Sequence, residues 1–338
     1  MSRFRNRIRF RHAAALAIAL LALAVPAAIA AFVATTANTG STFQSAAIFP
    51  GAIKMASGTY AGNGVDGRAI AVGFQPDFVI VKSESAREGV GRTSTMAGQD
   101  TKPLGTANAL QANYIQSLTA TGFTVGTNSR VNMAGDDYHW IAFKTNSQAM
   151  QVGNYTGNGA FTRSITGVGF QPEMVMVLGD TGQRAVLRAT GMSRTFRFEA
   201  GTGSTTGVTA FGADGFTLGN SAEVNSNGVA YHYVAFNDVP NSIDVGTYTG
   251  NGTDNRTVAT GFQPEYALVR ADDTGTQRSG VHRPASLAGT SSLEFGTTGL
   301  STNRLQALQA TGFQVGTNGD VNSNGDDYYY LAVRSSAP

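Results

Sequence analysis

From residue 58 onward the apolar positions come in short runs cut by glycine. After each GFQP string stands an unbroken apolar stretch: Phe78-Val79-Ile80-Val81, Met174-Val175-Met176-Val177 and Tyr266-Ala267-Leu268-Val269. Short runs of this kind, bounded by turn residues, predict buried strands. A second run, rich in Tyr, Trp, Phe and β-branched residues, closes each block, as in Tyr138–Phe143. Read as a strand it alternates by face, with Tyr138 and Trp140 on one side and His139, Ile141 and Phe143 on the other. Gly-Phe pairs and GNG triplets mark turns at intervals of roughly 8–12 residues, the spacing of a sandwich or barrel. Asn227-Gly228 and Asn324-Gly325 predict tight hairpin turns, because Asn and Gly tolerate positive φ. Helical spacing is confined to Ala109–Leu118, with a counterpart around Arg304–Leu308.

These runs recur as a block. GTYAGNG at Gly58–Gly64 returns as GNYTGNG at Gly153–Gly159 and GTYTGNG at Gly246–Gly252, at intervals of 95 and 93 residues. GFQPD at Gly73–Asp77 matches GFQPE at Gly169–Glu173 and Gly261–Glu265. GFTVG at Gly122–Gly126 matches GFTLG at Gly215–Gly219 and GFQVG at Gly312–Gly316, and each time a Val-Asn pair starts nine positions after the first Gly (Val131, Val224, Val321). A unit of about 90 residues exceeds a solenoid turn or propeller blade of about 20–50 and can hold its own core. The chain therefore reads as all-β: three tandem antiparallel β-sandwich repeats at 58–145, 153–238 and 246–335, with linkers at Asn146–Val152 and Val239–Val245. The alternative is one continuous structure in which the copies share sheets.

Ahead of the repeats lies a different composition. Arg3, Arg5, Arg7, Arg9 and Arg11 precede Ala13–Val33, which carries no charge. A basic head, an apolar run and Ala28-Ile29-Ala30 read as a signal peptide; uncleaved, residues 13–33 are long enough for a membrane anchor. Residues 1–34 form that segment and 35–57 a flexible tether, so both readings export the repeats. Without the five head arginines, 19 basic residues face 22 acidic ones, a net of −3 that removes the electrostatic case for nucleic acid. The absence of cysteine excludes disulfides, Cys-ligated metals and thiol nucleophiles.

In this order, GxYxGNG, GFQPD/E, GF-x-(V/L)-G and VN-x-x-G with an aromatic strand, the motifs resemble a repeat of bacteriophage tail-fibre and tail-associated proteins and of some exported bacterial proteins. The likeness spans residues 58–335 and implies an extracellular β module for surface attachment or assembly, with no catalytic residues. The chain departs from that pattern where the last strand usually has Trp: only Trp140 remains, with Tyr233 and Tyr330 at the matching places.

No enzyme motif is present: there is no G-x-S-x-G elbow and no phosphate loop. His139 and His232 share a repeat position that is Tyr329 in copy three, which suits a structural ring better than a general base. Asp136-Asp137 recur as Asp326-Asp327 but not in copy two, and adjacent strand residues face opposite ways. Asn322, Asn324 and Asp326 alternate as hard-cation ligands do, without the full calcium-loop pattern, so no cofactor or metal is expected. Two candidate ligand-binding sets remain. The ring pairs Tyr138/Trp140, Tyr231/Tyr233 and Tyr328/Tyr330 form a sugar-stacking platform if exposed, and core if buried. Arg92, Arg188 and Arg283, like the matched series Arg68, Arg163 and Arg256, either recognise acidic sugars or pair structurally with Asp77, Glu173 and Glu265. The expected function is surface attachment or glycan binding without catalysis, with avidity from three copies. A self-associating structural subunit is the second reading, and a carbohydrate hydrolase the third.

Overall fold

Copy one contributes β1 (Lys54–Ala61), β2 (Arg68–Ala71), β3 (Phe78–Ser83), β4 (Val90–Thr93), β5 (Lys102–Pro103), β6 (Ile115–Thr119), β7 (Gly122–Val125) and β8 (Asp137–Lys144). They form two antiparallel sheets, one ordered β1-β8-β3-β4-β5 and one ordered β2-β7-β6. Copy two repeats the plan with β9 (Met150–Thr156), β10 (Arg163–Thr166), β11 (Met174–Gly179), β12 (Val186–Ala189), β13 (Phe196–Arg197), β14 (Val208–Gly212), β15 (Gly215–Leu218) and β16 (Ala230–Phe236). Copy three follows with β17 (Ile243–Thr249), β18 (Arg256–Ala259), β19 (Tyr266–Ala271), β20 (Val281–Pro284), β21 (Leu293–Glu294), β22 (Leu305–Gln309), β23 (Gly312–Val315) and β24 (Asp327–Val333). Their sheet orders match strand for strand, so no sheet is shared between copies. This computed structural model describes residues 52–272 and 275–335. The expected signal or anchor, 1–34, and the tether up to residue 51 lie outside the described residues.

Each long sheet is buried on both faces, which is why the runs after GFQP are apolar throughout. One face meets the copy's own three-stranded sheet, and in copy one Val79, Val81, Tyr138 and Trp140 pack there on Ile70 and Phe123. The opposite face carries Phe78, Ile80, Ile141 and Phe143, and joins the matching residues of the other copies in one shared core. Phe143 lies 5.8 Å from Phe236 of copy two and 5.9 Å from Tyr266 of copy three, ring centre to ring centre. Phe198 and Phe295, at matching positions, stand edge to face at 4.8 Å.

The junctions between copies repeat as faithfully as the copies do. His139 bonds Ser286 at 3.0 Å, Tyr329 donates to the Gly191 carbonyl at 2.7 Å, and His232 bonds Thr95 at 2.7 Å. The two partners occupy the same repeat positions each time, running from copy one to three, three to two, and two to one. The copies thus close into a threefold-like ring made from one chain.

Several local expectations change. Ala109–Leu118 and Arg304–Leu308 contain no helix; β6 and β22 run there, each with a register shift against its neighbour. The Asn-Gly pairs do not form two-residue hairpins. The preceding Val-Asn residues close one-turn helices, α1 (Ser129–Asn132), α2 (Ala222–Asn225) and α3 (Gly319–Asn322), and the Gly alone takes positive φ before the next strand. β1 begins at Lys54, inside the stretch read as tether, and β9 and β17 begin inside the stretches read as linkers.

Candidate functional site

The recurrent motifs converge on one buried side chain per copy. Asn132 donates to the carbonyls of Val65 (2.8 Å) and Gly126 (3.0 Å) and accepts from the Asn63 backbone N–H at 2.9 Å. Asn225 and Asn322 make the same three bonds in their copies. The GNG loop, the end of the GF-x-V-G strand and the Val-Asn turn are therefore one hydrogen-bonded unit. Its glycines are dictated by close approach: a Cβ on Gly62 would lie 2.0 Å from the Met133 carbonyl oxygen.

All six candidate rings are interior. Tyr138, Tyr231 and Tyr328 are fully buried, and Trp140, Tyr233 and Tyr330 nearly so. Tyr138 donates to the Ser129 carbonyl at 2.6 Å, accepts from the Met133 N–H at 2.8 Å, and stacks on Tyr60 at 5.2 Å. Tyr231 and Tyr328 clamp α2 and α3 in the same manner. Trp140 covers Gly58, where a Cβ would lie 2.5 Å from the indole, and Tyr233 and Tyr330 cover Gly153 and Gly246 likewise. With no face open to a sugar ring, these residues are core.

The arginines also serve the scaffold, although not by pairing with Asp77, Glu173 or Glu265. Arg92 donates to the carbonyls of Met96 (3.2 Å), Gly98 (2.7 Å) and Asp100. Arg283 does so to Leu287 (2.9 Å), Gly289 (2.7 Å) and Ser291, and Arg188 to Met192 (2.9 Å) and Val208 (2.5 Å). The planar fork holds a loop that has no ladder of its own. Arg68, Arg163 and Arg256 lie 5.0–5.2 Å over the rings of Tyr60, Tyr155 and Tyr248 and cap the ends of β1, β9 and β17. Asp77 instead accepts from the N–H (2.9 Å) and hydroxyl (2.8 Å) of Thr145.

Candidate chemistry elsewhere is similarly engaged. Asp136 is bound by Ser85 at 2.9 Å and Arg87 at 2.5 Å, and the arginine and serine bonds hold its carboxyl below the usual range against the effect of burial. His139 meets Glu84 at 2.8 Å and His232 meets Asp180 at 3.0 Å. His282 is fully buried, stacked 4.3 Å from Phe295, and burial keeps its imidazole neutral. Among the described residues no group of three or more His, Asp or Glu is placed to hold a metal ion.

An open cleft of about 620 Å³ lies at the end of copy three where its GFQP turn enters β19. Gln263, Glu265, Arg283 and Arg334 supply its polar wall, and Pro264, Leu287 and Leu308 its apolar one. Burial raises the Glu265 carboxyl's pKa, opposed by the Ser335 N–H and the nearby Arg334. Of the sequence candidates only Arg283 reaches this cleft. Arg334 went unnoticed because its matches, Lys144 and Asn237, hide it as a variable position just beyond the last strand.

No curated protein and no solved structure matches the chain. One protein family does, over residues 52–154 and 197–336, which together make up most of the chain and take in the cleft. The chain belongs to the family described as Domain of unknown function (DUF7483).

Proposed function

We propose that the protein is an exported, non-enzymatic attachment module that binds carbohydrate or another cell-envelope polymer through the copy-three cleft. The carrying observation is the contrast between that cleft and the rest of the fold. The recurring Asn, Tyr and Arg side chains are consumed by the scaffold, while Gln263, Glu265 and Arg334 line an open space of ligand size. Export rests on the basic head and the uncharged run Ala13–Val33. The ring supports the reading physically, since a site on rigid, mutually packed strands loses little entropy when it binds.

The test is retention of the secreted protein on cell-envelope fractions and on a glycan array, beside a variant in which Ala307, which also lines the cleft, becomes Trp (Ala307→Trp) and fills it. Binding by the parent, lost in the variant at unchanged thermal stability, is the expected result. Failure of the parent to bind either target would sink the proposal. A structural, self-associating subunit is the second reading, favoured by the outward side chains of Phe161 (70% exposed) and Val65 (57%) on two GNG loops. Sedimentation that shows concentration-dependent assembly, abolished by Phe161→Ser, would favour it.

A further inference from the structure

We infer that the copy-three cleft selects a sugar bearing a carboxylate, with Arg334 as the residue that grips the acid. This rests on the attachment reading above and specifies its ligand.

The cleft carries two cations and one acid, and although Arg334 lies near Glu265, neither cation forms a hydrogen bond or ion pair with that acid among the described residues. Arg283 is fixed by three backbone carbonyls, so its charge stays at the wall. In the other copies the matching arginine has a carboxylate nearby: Asp100 beside Arg92 and Asp272 beside Arg188. Ser291 stands where copy one has Asp100, which leaves Arg283 with burial alone acting on it.

Arg334, the other half of the pair, is exposed. Its backbone N–H is tied to Ser242 at 2.8 Å, whereas its guanidinium makes no hydrogen bond or ion pair among the described residues. The copy-one counterpart, Lys144, sits 3.6 Å from Asp77 and is partly neutralised, and the copy-two counterpart, Asn237, carries no charge. Copy two also has Phe211 in the place of Leu308, a larger side chain at the same wall. Only the third copy brings two guanidiniums to this place, one of them without a hydrogen bond or ion pair among the described residues.

A planar guanidinium binds a carboxylate through two parallel hydrogen bonds. Opposite it, Pro264, Leu287 and Leu308 offer an apolar wall for the C–H face of a pyranose, and Gln263 and Glu265 offer an amide and a carboxylate for ring hydroxyls. A volume of about 620 Å³ accommodates two or three sugar units of that kind.

The experiment is calorimetric titration of the full secreted chain with tri-galacturonic acid, with its methyl ester, and with a neutral trisaccharide. Tighter binding of the acid by about tenfold or more over both neutral probes is expected, the difference shrinking as salt rises. Arg334→Ala should remove that preference, Arg334→Lys should restore part of it, and Glu265→Gln should tighten the acid a few-fold by deleting a like charge. Equal affinity for acid and ester, or an acid preference that survives Arg334→Ala, overturns the inference and leaves attachment standing. So does an acid that fails to bind while envelope retention persists. Loss of every saccharide and of envelope retention together instead removes the attachment reading beneath it.

Discussion

Asn132, Asn225 and Asn322 show how a motif can recur for structural reasons alone. Each amide makes three bonds to backbone groups from separate segments, in a place closed to water. Replacing one with Ala strands a buried N–H and two carbonyls, so Asn225→Ala should cost about 3 kcal/mol, readable as a lowered urea midpoint. His282 is the opposite case, a polar side chain whose two ring nitrogens find no hydrogen-bond partner among the described residues, in a place where copy two has Leu187. Burial, with Lys82 and His139 adding to it, pushes its pKa well below 6.5. A depressed histidine contributes stability that is present above its unfolded pKa and lost as pH falls. Stability should therefore decline below about pH 6.5 by up to about 1.4 kcal/mol per pH unit. His282→Leu should flatten that decline between pH 6 and 5 and raise stability at neutral pH. An unchanged acid limb would show that other groups set it.

At the scale of elements, the junctions are held by buried cations that occur once per seam. Lys82 on β3 donates to the Thr298 carbonyl of copy three at 2.9 Å. Arg270, at the same place on β19, donates to the carbonyls of Arg197 (3.0 Å) and Gly201 (3.2 Å) of copy two. Copy two has Leu178 there, and the cation comes from the other side of the seam. Lys102 of β5 reaches the carbonyls of Gly179, Thr181 and Gln183 at 2.6–2.9 Å. Burial lowers both lysines to about 8, so both are charged at neutral pH. Lys102→Met should cost about 3 kcal/mol by leaving those carbonyls without a donor. Adding Leu178→Lys should return part of it, because the cation then enters from the position its two siblings use. A double-mutant cycle by thermal unfolding measures this, and no recovery would mean that the two positions do not substitute for one another.

For the whole molecule, the shared core makes the repeats interdependent, unlike beads on a string. Phe143, Phe236 and Tyr266 belong to three copies and one cluster. Each large buried side chain contributes about 1.5–3 kcal/mol that an isolated copy would forfeit. The chain should unfold in one cooperative transition by calorimetry. A chain ended at Asp238, which lacks copy three, should expose Phe143 and Phe198 to solvent, bind a hydrophobic dye and aggregate. Two or three separate transitions would show that the seams are weaker than this packing implies.

The repeated all-β unit was legible in the chain alone, because strand alternation and glycine punctuation are local consequences of strand geometry. The sequence also placed Tyr138 and Trp140 on one face and Ile141 and Phe143 on the other, since alternation needs no partner. Local spacing misled where tertiary packing set the backbone: Ala109–Leu118 has helical periodicity yet includes β6, held by pairing with β7. Whether the aromatic rings were platform or core depended on a second sheet about 10 Å away, which no single strand encodes. The ring of copies was hidden for the same reason. A lysine that ends the run Phe78–Val81 reads as a solvated strand end until Thr298, 216 residues distant, is found against it. The cleft is not legible in the chain alone, since it depends on the approach of Glu265, just before β19, and Arg334, just past β24, a proximity that only the folded chain creates.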